Sequence, residues 1–405
     1  MDPVPVALFA LAAGGDAYLL LALGLSLADR RPSAKGMGGG DASLPPVTVL
    51  KPLHGPEPEL DARLETFFRQ DYPRWQVVFG VESPDDGALA AVERLRRRYP
   101  RVPVAVSSCA PAVGGNPKMN NLAAMLPLAE HAVLVLSDAD VAVGPDYLRL
   151  VVAALAGPGV GAATCLYRAA PADAALASRA MAAFLNAFFI PSVRVGTWGR
   201  ASAYGLGATL ALGRDTLERL GGLSAAADHL ADDFALGRAV ERLGLRVAFA
   251  PAAVVTHVAE ADAAALWHHL VRWMHATRTS RPWGYAGSIV TYPLVLSLLA
   301  AAVGGARPAL ALAVLAVAGR WALGALHTPA GERPPGPLLA AAVEIAAGAA
   351  WAAALVGRRL RWRGRAYRVG PGGRLSPLAA APSPTQRRAR RRTPPPPRPP
   401  AAFGS

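Results

Sequence analysis

Residues 133–148 read VLVLSDADVAVGPDYL. Four apolar residues lead into Ser137 and then two carboxylates, Asp138 and Asp140, one residue apart. So short an apolar run, closed by polar residues, predicts a strand buried on both faces. In fully extended backbone the two aspartates would point to opposite faces of the sheet. Both can serve one site only where the strand gives way to a turn. Read alone, the pair is also consistent with a helix N-cap ahead of VGPDYL.

The same pattern recurs on both sides. Strand-like runs are VTVLKP (47–52), WQVVFGVES (75–83), PVAVSS (103–108), VGAATCLY (160–167), YGLGATLAL (204–212) and LRVAFAPAAVV (245–255). Helical patterns separate the early ones: PELDARLETFFRQ (58–70), GALAAVERLRRRYP (87–100) and MNNLAAMLPLAEH (119–131). Strand and helix in alternation predict an α/β unit with a mostly parallel sheet covered on both faces. Such sheets bind ligands beyond the C-terminal ends of their strands, where the aspartates lie.

The flanks are membrane-like. Of the 405 residues, 53% are apolar and 17% charged. Residues 4–27 are almost wholly apolar, interrupted by Asp16 and Tyr18, and cations follow at Arg30, Arg31 and Lys35. This predicts a membrane anchor over 1–28 whose basic flank places the next segment in the cytoplasm. A linker (29–46) leads to the α/β unit (47–280). Three apolar stretches, 286–303, 308–327 and 336–357, predict two or three membrane helices within 281–357. The second carries Arg320 and the third Glu344, and buried charges at such depth seek partners, so the two are expected to pair across an antiparallel hairpin. Residues 358–405 are expected to form a basic, Pro- and Arg-rich disordered tail. Thirteen arginines and no acid lie from Arg358 onward, and subtracting them from the net +14 leaves about +1 for the rest. The folded part therefore lacks the basic face that a nucleic-acid partner requires. If all three C-terminal stretches crossed, the positive-inside rule would be broken, so one is expected to be irregular; 286–303, holding Pro293, is the candidate.

Other carboxylates gather at comparable places. Glu82, Asp85 and Asp86 close the WQVVFGVES run, and Asp228, Asp232 and Asp233 precede a helical pattern. The plainer reading of the second group is a favourable helix dipole. LWHHLVRWMHATR (266–278) brings His268, His269, Arg272, Trp273, His275 and Arg278 onto one helix, which also suits an amphipathic helix at the membrane surface.

Together these motifs resemble the family-2/21-type membrane glycosyltransferases, in the ceramide glucosyltransferase-like branch. The matching residues are LKPLHGPEPEL, LETFFRQDYP, Asp86 in PDDGA, GGNPKMNNL, Asp138 in SDAD, GATLAL, Asp233 in ADDFAL and HLVRW. The first position of the last motif departs from the branch's Q/R-x-x-R-W, being His269. GVGAATCLYR, DHLADD and HVAE resemble the bacterial enzymes associated with hopanoid biosynthesis. The resemblance implies a GT-A (Rossmann-like) nucleotide-sugar domain. It implies transfer of N-acetylglucosamine from UDP-GlcNAc to a hopanoid, with inversion, at the bacterial inner membrane. A ceramide glucosyltransferase using UDP-glucose is the alternative, and an inactive scaffold the different class. By the same resemblance, Asp86 would contact uridine, with Lys118, Asn116 and Asn120 near the uracil or diphosphate. Asp138 and Asp140 would hold Mg²⁺ or Mn²⁺, and His257 could reach the metal, although a plain core histidine is the simpler reading. Asp233 would be the general base, with Arg272, Trp273 and His269 closing on the diphosphate and acceptor.

Overall fold

The computed structural model describes residues 3–28, 44–108, 113–202, 204–304, 306–362 and 365–378. Most of the expected linker and the chain beyond Leu378 lie outside them. Among the described residues ten strands build the α/β unit: β1 Val47–Pro52, β2 Trp75–Gly80, β3 Val104–Ser107, β4 Val133–Leu136, β5 Val141–Val143, β6 Val160–Cys165, β7 Arg168–Pro171, β8 Leu210–Gly213, β9 Arg246–Ala250 and β10 Val254–Val258. Seven form one sheet in the order β3-β2-β1-β4-β8-β6-β9. All its pairings are parallel except those of β8, which runs antiparallel to β4 and β6.

Burial on both faces follows from the alternation within each strand. Val49, Val77, Phe79 and Val135 enter one apolar cluster, while Leu50, Val78, Leu134 and Leu136 enter the other. Side chains two apart share a face, so an all-apolar strand feeds two cores.

β5, β10 and β7 form a second, three-stranded sheet. The chain leaves the large sheet at Leu136 and joins the small one at Val141. Ser137 to Asp140 is that crossing, and the change of direction lets the two aspartates address different neighbours.

The helices Pro3–Ala28, Ala306–His327 and Pro337–Val356 are long and apolar; Pro282–Thr291 and Pro293–Gly304 meet at 65°. The bend falls at Pro293, inside the stretch expected to be irregular. A further apolar helix, Leu176–Thr197, is not among the expected ones. It is interrupted by a π turn, Leu185–Phe189, whose Asn186 side chain exchanges two 2.8 Å hydrogen bonds with the backbone of Ala169 on β7.

Arg320 and Glu344 do pair: Arg320 Nε lies 3.1 Å from Glu344 Oε2, and both side chains are 0% exposed. Their two helices pack together around this pair, as the expected hairpin requires. Beyond Glu344 the second helix meets Tyr292 at Gly348 and stacks Trp351 on Tyr285. It ends where Arg278 donates to the carbonyls of Leu355 and Gly357. The preceding helix ends beside the α/β unit too, at His327 Nδ1 and Asn186 O, 3.0 Å apart. The Pro337–Val356 helix thus finishes against the α/β unit, and the helix before it ends there too.

The tail expected from 358 is corrected over its first part. β11 Arg359–Trp362, β12 Arg365–Val369 and β13 Leu375–Pro377 form an antiparallel sheet. Leu360, Tyr367, Val369 and Leu375 bury one face of it against Leu230. Composition marks this segment as basic, but its arginines alternate with apolar residues at the strand period of two, enough to bury one face.

Candidate active site

Pro117–Met125 is a helix capped by Asn116, whose side chain accepts from the amides of Lys118 and Met119. The cap fixes Lys118 in the first turn. Its ammonium lies 2.7 Å from Asp138 Oδ1 and 3.0 Å from Asp232 Oδ2. Burial by itself would lower the Lys118 pKa, but Asp138, Asp232 and Asp233 together raise it, so the lysine stays charged. Asn116 Nδ2 donates to His229 O at 2.8 Å, tying this helix to the loop that carries the acidic pair. Asp232 and Asp233 open the helix Asp232–Arg242. Burial, then the charge of Asp232, pushes Asp233 up to about 7. Burial also raises Asp138, with Lys118 pulling the other way.

Asp140 faces the small sheet. Its Oδ2 accepts from Thr256 Oγ1 at 2.6 Å, and its carbonyl accepts the His257 amide at 2.8 Å. His257 Nδ1 is buried with no hydrogen-bond partner among the described residues, and burial lowers its pKa. Lys51, unnoticed in the sequence, is wholly buried at the end of β1 and donates to the carbonyl of Asp138. Its Nζ also lies 4.1 Å from the centre of the Phe67 ring. Burial lowers its pKa to about 7.

From the other side comes the helix Ala263–Ser280, capped by Asp262. Its Arg272 guanidinium lies 5.8 Å from the Trp362 ring centre, so β11 supplies a wall of the site. Trp273 meets Phe184 and Phe189 edge-on. His269 Nδ1 contacts Glu260 Oε1, and burial, then Arg272, lowers its pKa.

Lys118, Asp138, Asp233, Arg272 and Trp273 line one cavity of about 530 Å³, together with Asp232, Tyr167 and Trp362. Other expected site residues stand behind it. Asp86 accepts from the amides of Gly55, at 3.0 Å to each oxygen, and Ala88, at 2.9 Å, so it shapes the β2 end. Asn120 holds its own loop through the amides of Val113 and Gly114. Gly207, the first residue of GATLAL, packs directly against the acidic groups. A Cβ there would sit 2.8 Å from Asp138 Oδ2 and 3.4 Å from both Asp233 Oδ2 and Lys118 Nζ. No period or pairing rule could have placed it against them.

Among the described residues, no three His, Cys, Asp or Glu side chains converge as a ready cation site. Asp138 and Asp140 each have one oxygen committed to a neighbour, Lys118 and Thr256. An all-oxygen donor pair still fits a hard divalent ion, which takes few protein ligands and completes its shell with phosphate and water.

The model of glycosyl transferase family 21 matches residues 7–375, running from the first apolar helix to β13. The chain belongs to that family. The family 21 chain is 24% identical over 242 residues to ceramide glucosyltransferase 3 of Caenorhabditis elegans, covering 58% of this chain and 51% of that protein. It is 34% identical over 99 residues to the ceramide glucosyltransferase of Komagataella phaffii, covering 24% and 19%. It therefore spans about half the length, or less, of these curated relatives. Among solved structures, a mannosyltransferase from Pyrobaculum calidifontis, in complex with GDP-Man and Mn²⁺, superposes with a TM-score of 0.53 at 23% identity, covering 87% of this chain and 97% of that one. That likeness shows the GT-A-like fold, with its mostly parallel sheet.

Proposed function

We propose that this family 21 chain is an inverting glycosyltransferase that moves a sugar from a UDP-sugar to a hydroxyl of a membrane lipid. The observation that carries the reading is Asp233, pushed up to about 7 in a cavity shared with Asp138, Lys118 and Arg272. A carboxylate titrating near neutrality is matched to taking a proton from an alcohol. Asp233 accepts the acceptor's proton as its oxygen attacks the anomeric carbon. One base and one displacement invert that carbon. The Arg272 guanidinium and Lys118 ammonium offset the charge gathering on the departing diphosphate. Asp138 and Asp140 would hold Mg²⁺ or Mn²⁺, which when bound neutralises that same charge. Lys51 keeps the Asp138 backbone in place.

The sequence motifs favour N-acetylglucosamine and a hopanoid acceptor at the bacterial inner membrane, with the catalytic unit cytoplasmic. The names of the curated relatives favour a second pair, glucose and ceramide, for which UDP-glucose would be the donor. Membranes containing the protein should be incubated with radiolabelled UDP-GlcNAc or UDP-glucose and with either lipid, and the product's mass and anomeric configuration determined. A β-glycoside from an α-linked donor is expected. An α-glycoside, or no labelled lipid from any pair, would overturn the reading.

A further inference from the structure

The cavity that holds Asp138 and Asp233 does not stop at the α/β unit. It continues along Phe189, Ser192, Val193, Val195 and Gly196 of the buried apolar helix. It is also lined by Tyr18 of the helix Pro3–Ala28 and by Gly287 and Ser288 of the bent pair. One end is therefore charged, and the other is apolar and made of helices of membrane length. Tyr18 interrupts the apolar run of its helix, and no catalytic role accounts for it. Its hydroxyl is buried and has no hydrogen-bond partner among the described residues. An unpaired buried hydroxyl is costly, and a ligand group that bonds to it relieves that cost. Gly287, on the same cavity, leaves open space, since a Cβ built there meets nothing within 4 Å.

We propose that the acceptor lipid enters from the bilayer at the end of the cavity lined by Tyr18, Gly287 and Ser288. Its apolar body stays beside these helices, its hydroxyl reaches Asp233, and a second polar group bonds the Tyr18 hydroxyl. The proposal rests on the glycosyltransferase reading for the end at Asp233, while the path itself rests on the cavity. The volume supports a partial entry. About 530 Å³ lies within the range of small-molecule sites and leaves no room for a whole lipid beside a donor.

Three purified proteins in nanodiscs, wild type, Gly287→Leu and Tyr18→Phe, would be compared. The probes are tritiated bacteriohopanetetrol and tritiated C16 ceramide, read by scintillation proximity, with UDP-GlcNAc and UDP-glucose binding measured in parallel. Gly287→Leu is expected to weaken binding of the lipid that the wild type takes up by about tenfold or more. Tyr18→Phe should weaken it by about three- to tenfold, the range for one net hydrogen bond. Donor affinity should stay within about twofold in both. Wild-type lipid affinity in Gly287→Leu, parallel loss of donor and lipid affinity, or no saturable binding of either lipid to the wild type would each overturn the path. A wild type that binds lipid as expected, with both variants weakened, but transfers no sugar would leave the path standing and sink the glycosyltransferase reading.

Discussion

Replacing Glu344 by Gln tests the buried pair that fastens the apolar helices to the catalytic unit. Glu344 Oε2 accepts from Arg320 Nε at 3.1 Å, and Oε1 accepts the Leu294 amide at 2.7 Å. Arg320 also donates to the carbonyls of Ala187, at 2.7 Å, and Thr291. Its guanidinium lies 3.5 Å from the centre of the Phe188 ring. Glutamine keeps the size and one acceptor, so the loss is the negative charge. Leaving a buried charge without its partner costs about 3–5 kcal/mol. The carbonyls and the ring remain, which puts Glu344→Gln near the low end, about 3 kcal/mol. At roughly 2–4 °C per kcal/mol for a domain of comparable size, Tm should fall by about 6–12 °C. Thermal unfolding in detergent, followed by fluorescence-detected size exclusion, reads this directly. The double exchange Arg320→Glu with Glu344→Arg sharpens the test. Two charges considered alone predict recovery. The structure predicts little, because a carboxylate at position 320 would face the Ala187 and Thr291 carbonyls and an arginine at 344 would face the Leu294 amide. A Glu344→Gln Tm within 2 °C of wild type, or full recovery in the exchange, would refute the reasoning.

Asp233 works as a base only when ionised, and its pKa is raised to about 7. Turnover should therefore fall about tenfold per unit as pH drops below 7 and level off above it. Asp233→Asn should remove this limb and cost about 10²–10⁴ in rate with donor affinity kept; a loss confined to donor affinity would reassign the residue. Gly207→Ala pushes a methyl to 2.8 Å from Asp138 Oδ2, and since displacements of this kind can cost about 10²-fold, kcat should drop sharply with Tm nearly unchanged. Unaltered kcat would remove Gly207 from the site. Truncation after Leu378 should leave detergent activity intact. Truncation after Gly370 should not, because it removes the Leu375 amide bonded to Asp228 O at 2.7 Å and the Gly373 carbonyl that accepts from Leu230 at 2.9 Å. Equal activity of the two would show that β13 is dispensable. Because the helix Ala306–His327 ends beside Asn186 and the helix Pro337–Val356 ends at Arg278, cysteines placed at Glu332 and at Ser376 should react with an impermeant maleimide from the same side of sealed vesicles. Labelling from opposite sides would make the second helix a full crossing.

Much of this protein is legible locally. The alternation of apolar strands with helical periods predicts the parallel core, because each strand's own residues must fill both faces. Asp138, Asp233, Arg272 and Trp273 stand out as polar or aromatic residues at element ends and on one helix, and they do line one cavity. The pairing of Arg320 with Glu344 follows from the cost of charge in an apolar segment. What adjoins what across long separations is different. That Lys118 bridges Asp138 and Asp232, that Lys51 braces the Asp138 backbone and that Trp362 faces Arg272 depend on contacts between distant segments, which no period in the chain encodes. The apolar helices show the limit most clearly. Leu176–Thr197 and Pro337–Val356 have similar length and composition to a crossing helix, yet the first is largely enclosed by protein and the second returns to the catalytic unit. Hydropathy records that a segment avoids water. Whether lipid or protein shelters it is decided by the partners that the fold brings alongside, here β7, Tyr285 and Arg278.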